Sequence, residues 1–466
     1  MVKALQHNFL YNEVAEMRKH DVNMLSGSIT KGLWAISLPI MAMNVMTSLF
    51  GIIDMTILKN FCTDGNAVGA VGVCTTLIVL FTNLITGITT GANVIVARNI
   101  GKGDKEAVDR AIGASVAFAL AEGLIMGIVG VLGAQLLLEW NNCPPALLAQ
   151  ATQYLRLYLA GIPLLAVYYF FAALLRSSGD SRRPMIFSIT AGAIKIVLTF
   201  LFIAVFDMGV VGVAYATILS WVILCVCGLT ALVKTNGAVK IKPKYIRFHK
   251  RELGQILHIG IPDALQRAMF AFANVLITAT VNSFGPAATT GVAIANNFDG
   301  ILYNICTAAA LAVMPYVSQN VGKGNINRAT QAVWKGVMIT TVLGVSFGTL
   351  SALFSGPLSS IMTSDPEAIA YSQQKMVIIS TTYFICGIND IFASALRGMG
   401  RPMVATVSAF LFMCAFRAFW VYFVFPLLPN MTFLYLVWPI SWVLCIVTTL
   451  FFYFPTVKKL KATAVA

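Results

Sequence analysis

Long apolar segments with very few charges constrain this chain more than any other feature of its sequence. Of its 466 residues, 58% are hydrophobic and only 11% are charged, and the mean hydropathy is +0.81. A soluble domain needs about a quarter of its residues charged to cover its surface. Lipid must therefore be the solvent for most of the folded chain, which excludes a soluble enzyme or binding module.

Twelve of the apolar segments are long enough to cross a bilayer as helices. Their continuous runs differ from the alternating pattern of a membrane β-barrel. The predicted spans are residues 33–58, 68–97, 107–138, 147–175, 185–206, 210–233, 253–281, 292–321, 329–354, 368–396, 403–427 and 433–452. The sequence thus predicts an all-α polytopic membrane protein with twelve transmembrane helices.

The distribution of Lys and Arg tests this count and orients the chain. With the N-terminus in the cytoplasm, nearly all of the 32 basic residues fall in cytoplasmic segments, and only Lys59 falls in an outer loop. The remaining basic residues lie within spans: Arg156, Lys195, Arg267, Lys375 and Arg417. This asymmetry predicts a multi-pass protein of the plasma (inner) membrane with both termini in the cytoplasm. The basic residues are thus read as topology signals that contact lipid, and no nucleic-acid partner is expected.

The two halves of the chain resemble each other. Residues 96–104 (VARNIGKGD) match residues 317–325 (VSQNVGKGN), 221 positions later, and residues 175–179 (LRSSG) match residues 396–400 (LRGMG) at the same offset. Leu38-Pro39 matches Ile261-Pro262 at nearly that spacing. Six spans per half give both halves the same orientation, which predicts two lobes related by a parallel pseudo-twofold axis along the membrane normal.

The repeat divides the chain into five predicted parts. They are a cytoplasmic N-terminal segment (1–28), an N-terminal six-helix lobe (29–233), a basic cytoplasmic linker (234–252), a C-terminal six-helix lobe (253–455) and a cytoplasmic tail (456–466). Each Gly-Lys-Gly is interpreted as a tight turn between helices, since glycine allows the backbone to reverse. A phosphate-binding loop is disfavoured because the GxxxxGK[ST] pattern is absent.

Several of these residues resemble the MATE family of multidrug and toxic compound extrusion transporters, in its bacterial form. They are Pro39 and Asp54 in the first span, the Asn-x-Gly-x-Gly turn in both halves, and the doubled Leu-Arg-x-x-Gly. The resemblance covers nearly the whole chain. It implies a two-lobe secondary active exporter that exchanges organic, cationic, amphipathic compounds for H⁺ or Na⁺ by alternating access. A flippase for a lipid-linked or amphipathic substrate, from the same superfamily, is the alternative.

The sequence favours no enzyme, because its four histidines form no catalytic pattern with acidic or nucleophilic residues. No cofactor is expected apart from the coupling ion. The nine cysteines are interpreted as small apolar fillers, without a disulfide framework or a metal site. The expected partners are small organic substrates and membrane lipids, and the expected working unit is a monomer.

The resemblance implies an ion-coupling aspartate at Asp54. Many relatives place Asn and Asp in the fifth span to complete a cation site, whereas this chain carries Lys195 and Thr199 there. The Lys195 ammonium is expected to pair with Asp54, which makes a Na⁺ site at this position doubtful. A purely structural ion pair is the alternative interpretation.

Charges within the C-terminal spans are further candidates, because a charge at the bilayer centre costs at least about 2.5 kcal/mol. Arg417 is the repeat equivalent of Lys195, and it is predicted to pair with Asp390, with Asp299 as a further partner. Asp263 and Arg267 are four residues apart and predict a pair on one helical face. The candidate residues of the substrate cavity are Asn44, Glu122, Asp263, Gln266, Arg267, Asn296 and Asn389. Arg176 and Arg397 are interpreted as interface anchors outside the site.

Overall fold

A computed structural model describes residues 22–62, 65–235 and 237–465. Most of the predicted N-terminal segment, residues 1–21, lies outside them. Within the described residues the chain is helical, and twelve long helices follow one another. They are α1 (Ile29–Phe61), α2 (Ala67–Lys102), α3 (Lys105–Trp140), α4 (Pro145–Ser177), α5 (Arg182–Val205), α6 (Gly209–Lys234), α7 (Lys250–Asn282), α8 (Pro286–Gly322), α9 (Ile326–Leu353), α10 (Pro366–Gly398), α11 (Pro402–Leu427) and α12 (Met431–Thr463).

These helices confirm the predicted all-α membrane architecture. Among the described residues, 11 of them are long and apolar enough to cross a membrane. The remaining one, α7, is 33 residues long but less apolar, because it carries Asp263, Gln266 and Arg267. These polar side chains are buried or paired with other side chains, and a less apolar helix can therefore lie among apolar ones.

Helices α5 and α11 occupy equivalent places in the two halves, and both depart from regular α-helix. The last turn of α5, Leu201–Val205, is a π-helix, and α11 contains two such stretches, Phe410–Ala415 and Trp420–Val424. A π-turn adds a residue to the turn and is frequent at functional sites. In both helices the wide turn lies close to the cation within the membrane, Lys195 or Arg417.

The repeated Gly-Lys-Gly segments form the predicted tight turns. Gly103 and Gly324 have φ values of 75° and 80°, a left-handed conformation that side chains other than glycine rarely adopt. The residue that follows each glycine caps the next helix. Asp104 accepts a hydrogen bond from the backbone N–H of Ala107 at 3.0 Å, and Asn325 accepts one from Arg328 at 3.3 Å. Both halves therefore reverse direction by the same local chemistry.

Helix packing repeats the pseudo-twofold relation. In the N-terminal lobe, α4 packs against α2, α3 and α6, and α5 packs against α1 and α6. In the C-terminal lobe, α10 packs against α8, α9 and α12, and α11 packs against α7 and α12. Between the lobes, α2 contacts α7 and α8, while α8 contacts α1 and α2. The central pair, α2 and α8, therefore joins the two lobes across the axis.

The ends of α2 and α8 cross at a very short distance. A Cβ atom at Gly101 would lie 1.9 Å from the carbonyl oxygen of Gln319, and a Cβ atom at Gly322 would lie 2.1 Å from the carbonyl oxygen of Arg98. The two glycines are repeat equivalents, and so are the residues they face. Any larger residue at either position would force the helices apart.

Two equivalent hydrogen bonds reinforce this crossing. The guanidinium of Arg98 donates to the carbonyl oxygen of Gly398 at 2.9 Å, and the amide of Gln319 donates to the carbonyl oxygen of Ser177 at 2.7 Å. Each bond joins one lobe to the other. They lie on the side of the molecule that holds the linker between α6 and α7, called here the linker side.

Further contacts on the linker side attach the segments outside the helices. Asn320 and Arg328 donate to the carbonyl oxygen of Met24 at 3.1 and 3.0 Å. Lys242 of the linker donates to Asp109 of α3 at 2.5 Å, and this hydrogen bond raises the pKa of the Lys242 ammonium above its ordinary value. The linker and the chain before α1 thus pack on the same side as the α2–α8 crossing.

The α2–α8 crossing gives a stability prediction. The substitution Gly101→Ala should lower the free energy of unfolding by about 1–3 kcal/mol, because the added methyl group meets backbone atoms that cannot rotate away. The matched control is Gly72→Ala on the same helix, where a Cβ atom would meet nothing within 4 Å. The measurement is the midpoint of thermal unfolding of the purified proteins in one detergent. Equal midpoints for the two variants would contradict the close crossing.

Candidate functional site

A cavity of about 890 Å³ lies mainly within the N-terminal lobe. Side chains of α1, α2, α4, α5 and α6 form most of its lining, and Asn297, Asn304 and Met362 contribute from the other lobe. The lining extends from Arg176, near the linker-side end of α4, to Lys59 and the start of α2 at the opposite end. The cavity therefore begins near the linker-side contacts and extends toward the opposite face of the molecule.

Asp54 and Lys195 form the predicted ion pair in the wall of this cavity. Lys195 Nζ donates to Asp54 Oδ2, and the Thr199 hydroxyl donates to Asp54 Oδ1 at 3.2 Å. Asp54 is only 6% exposed. Both oxygens of its carboxylate are thus engaged, and the Lys195 ammonium lies where a bound cation would contact Asp54.

The sequence of α5 explains this geometry. Gly192, Lys195 and Thr199 are spaced by three and four residues, so they share one face of the helix. A Cβ atom at Gly192 would lie 2.0 Å from the ring of Phe50, so the glycine lets α1 approach α5 closely. This approach brings Asp54 within reach of Lys195 and Thr199.

Arg176 departs from its interpretation as an interface anchor. Its side chain lines the cavity, close to the linker-side end of α4. No carboxylate of the described residues lies within ion-pair distance of it. Asn44 lines the same cavity, as predicted. Arg176 therefore contributes a cation to the cavity, although the sequence did not predict it as a residue of the site.

A second group of charges surrounds Asp263 on α7. Arg267 Nε lies 3.1 Å from Asp263 Oδ2, which confirms the predicted pair. Arg397 Nη2 lies 2.7 Å from Oδ1, and the Thr90 hydroxyl donates to Oδ2 from the other lobe at 2.8 Å. Arg397 also donates to Gln266 at 2.9 Å. Arg397 is thus a buried partner of Asp263, and its interpretation as an interface anchor was wrong.

Asp299 pairs with a residue that was not among the candidates. Lys375 Nζ lies 2.9 Å from Asp299 Oδ2 and donates to the Asn296 side chain as well. The ammonium also lies 5.7 Å from the centre of the Trp438 ring. The position of Lys375 within a predicted span was the signal that could have identified it.

The predicted pair of Arg417 with Asp390 was wrong. Arg417 is fully buried, and its guanidinium donates to Ser441 of α12 at 3.1 Å and to Asn274 of α7 at 3.3 Å. The rings of Phe270 and Trp438 flank it. Arg417 lies between the two wide turns of α11, and its side chain reaches α12 and α7 rather than Asp390 on α10. The described residues place no basic group within ion-pair distance of Asp390.

Two further candidates are buried apart from the cavity lining. Asn389 is 3% exposed on α10, beside Asp390. Glu122 is 6% exposed on α3, next to Gly123, which meets Pro163 and Ala166 of α4. Neither oxygen of Glu122 has a hydrogen-bond partner among the described residues. The structure thus does not bring these two residues to the pair formed by Asp54 and Lys195.

Known proteins resemble the chain along most of its length. A "Probable multidrug resistance protein YpnP" of Bacillus subtilis is 29% identical over 82% of this chain and 85% of the relative. A "Probable multidrug resistance protein NorM" of Thermotoga maritima is 28% identical over 81% and 82%, and a "FAD transporter" of Shewanella oneidensis is 24% identical over 82% and 85%.

A solved structure and a family model agree with these relatives. The crystal structure of a MATE protein in a bent conformation matches with a TM-score of 0.88 at 20% identity, covering 96% of this chain and 99% of that chain. The model of the family described as MatE matches residues 39–201 and 262–423, one match in each lobe. Because these matches cover well over half of its residues, the chain belongs to the MatE family of membrane transporters.

Proposed function

We propose that this protein is a secondary active exporter that exchanges amphipathic organic compounds for H⁺ or Na⁺ by alternating access of its two lobes. It acts as a monomer in the plasma membrane, with both termini in the cytoplasm and no cofactor besides the coupling ion. One observation carries the proposal. The lobes are joined on the linker side, at the α2–α8 crossing, while the cavity extends toward the opposite face.

The cross-lobe contacts are of a kind that can open and close. The hydrogen bonds donated by Arg98 and Gln319 each stabilise the closed linker side by about 1 kcal/mol, because water can replace either partner when the lobes separate. An equilibrium between two arrangements separated by a few kcal/mol responds to a ligand that binds one of them better. Binding of substrate or ion can therefore shift the lobes between closure on the linker side and closure on the opposite side.

The ion pair of Asp54 and Lys195 is the proposed coupling element, and it favours the proton as the coupling ion. Protonation of Asp54 would remove the charge that holds the Lys195 ammonium, so that the contact between α1 and α5 changes with the protonation state. A sodium ion would have to displace the ammonium first. Two pairs that join different helices, Asp263 with Arg397 and Asp299 with Lys375, are proposed to hold the C-terminal lobe together.

The relatives suggest two substrate classes. Two relatives are named for multidrug resistance, which is in line with the cationic amphipathic compounds that the family resemblance implies. Another relative is named a FAD transporter, and FAD is an organic anion because of its diphosphate. These two classes differ in charge, so the charges that line the cavity distinguish between them.

A transport measurement tests the proposed function. Purified protein in liposomes should accumulate a fluorescent amphipathic compound when a proton gradient is imposed, and it should accumulate less with a sodium gradient of equal size. Protein-free liposomes and liposomes without a gradient are the controls. Transport that proceeds to the same extent without either gradient would contradict the antiport mechanism.

Substitutions of Asp54 and Lys195 test whether this pair is the coupling element. Asp54→Asn and Lys195→Ala should each reduce gradient-driven transport by about tenfold or more, because either change removes the charge pair that protonation controls. Glu139→Gln is the matched control, since Glu139 is an exposed carboxylate at the far end of α3 that pairs only with Gln135 among the described residues.

The thermal midpoint of each variant separates loss of coupling from loss of folding. Removing one partner of a buried pair costs up to about 3–5 kcal/mol, so the double variant Asp54→Asn with Lys195→Ala should recover part of that stability without recovering transport. If both single variants transport like the unmodified protein, this pair is not the coupling element.

A further inference from the structure

We infer that the cavity of the N-terminal lobe is built for amphipathic organic molecules that carry an acidic group, rather than for organic cations. The inference specifies the substrate of the proposed exporter and rests on that proposed function. It follows from a census of the charges that line the cavity.

Cations outnumber carboxylates in the lining. Asp54 is the only carboxylate among the described lining residues, while Lys59, Arg176 and Lys195 are basic. Asp54 is already neutralised by Lys195, and its second oxygen accepts from Thr199. A positively charged ligand would therefore find no free carboxylate and would meet unpaired positive charge.

Arg176 decides the polarity of the inner part of the cavity. It lies at the linker-side end of α4, lines the cavity and has no carboxylate within ion-pair distance among the described residues. A cation without a carboxylate partner is tolerated where it faces water or a ligand of opposite charge. A planar guanidinium donates paired hydrogen bonds to carboxylate, sulfonate or phosphate oxygens. Arg176 is thus placed to bind the acidic group of a ligand.

The rest of the lining suits the apolar part of such a molecule. The rings of Tyr158 and Trp221 pack edge to face, with their centroids 4.8 Å apart. Both residues line the cavity together with Phe50 and Tyr169. Aromatic walls bind flat apolar groups of varied shape. An acidic head at Arg176 and an aromatic body against these rings would use both kinds of surface.

Carboxylates elsewhere in the membrane do not reverse this polarity. Asp263 and Asp299 each lie within ion-pair distance of a basic side chain. Among the residues that the structure describes, Asp390 and Glu122 have no basic partner at that distance, and neither of them lines the cavity. The repeat equivalent of Lys195, Arg417, donates hydrogen bonds to neutral groups, Ser441 and Asn274. The C-terminal lobe therefore adds no free carboxylate to this cavity.

Equilibrium binding tests the inference without any ion gradient. Sulforhodamine B, an anion, and tetramethylrhodamine methyl ester, a cation, share one xanthene ring system, and their fluorescence anisotropy reports binding to the purified full-length protein. The unmodified protein should bind the anion about tenfold more tightly, a difference of about 1.4 kcal/mol. Equal affinities, or tighter binding of the cation, would overturn the inference.

Substitutions of Arg176 test whether this residue causes the preference for the anion. Arg176→Gln should remove the preference for the anion, and Arg176→Lys should keep most of it, which also shows that the position tolerates substitution. Arg156→Gln is the matched control, because Arg156 is an exposed arginine on the same helix that does not line the cavity. Loss of the preference in Arg156→Gln, or its persistence in Arg176→Gln, would overturn the assignment to Arg176.

Two further conditions separate the cavity from the basic surface of the chain. The formal net charge is +14, so anions also gather at exposed Lys and Arg, but salt screens that attraction far more than it screens a buried contact. The preference should survive raised salt, and its disappearance would overturn the inference. Competition by phosphatidylglycerol, but not by phosphatidylcholine, would identify a lipid phosphate as the source of the same acidic chemistry. Competition by neither lipid would identify a soluble anion.

The binding result and the transport result can fail independently. Preferred binding of the anion without gradient-driven accumulation would contradict the proposed exporter and leave the cavity assignment intact. Gradient-driven accumulation of the cation, without preferred binding of the anion, would contradict the cavity assignment and leave the exporter intact.

Discussion

The close crossing of α2 and α8 is the contact on which the rest of this structure depends. Gly101 and Gly322 let two backbones meet at a distance that no side chain would allow. This contact joins the lobes on the linker side, and the cavity lies between it and the opposite face of the molecule. The repeated VARNIGKGD and VSQNVGKGN segments thus have two tasks. Their second glycines make the turns, and their first glycines make the crossing.

Charge pairing is the second constraint, because lipid offers no solvation to an ion. Each lobe places a cation in equivalent helices, α5 and α11, but the two lobes satisfy it differently. Lys195 has a carboxylate on α1, whereas the corresponding part of α7 carries the apolar residues Leu276 and Ile277. Arg417 therefore binds Ser441 and Asn274. The lobes share a fold but differ in chemistry, and the charge pair that lines the cavity belongs to the N-terminal lobe.

The sequence was sufficient to predict the spans, the doubled fold and the pairs whose partners were few. The pairing of Asp54 with Lys195 was predictable because the family resemblance placed both residues at one site. Asp263 and Arg267 were predictable because their spacing of four places them on one helical face. These predictions needed no knowledge of which helices are neighbours beyond what the repeat and the resemblance supplied.

The other charges could not be assigned in this way. Asp390, Arg417, Lys375 and Asp299 all lie within spans, and their pairing depends on how each helix is rotated in the packed lobe. Arg417 lies between two wide turns of α11, and hydropathy does not reveal such turns. Arg176 and Arg397 end their spans next to similar glycine turns, which gave them the appearance of topology signals.

Closure on the linker side is proposed to alternate with closure on the opposite side. Spin labels test it directly in a protein whose nine cysteines have been replaced. One label pair is placed at the exposed repeat equivalents Lys102 and Lys323 on the linker side, and a second at Glu139 and Ser360 on the opposite side. Double electron–electron resonance spectroscopy of the labelled protein in lipid nanodiscs then gives both distances at high and low pH, with and without substrate. If the two closures alternate, conditions that lengthen the first distance will shorten the second. Distances that stay fixed under all of these conditions, in protein that still transports, would contradict it.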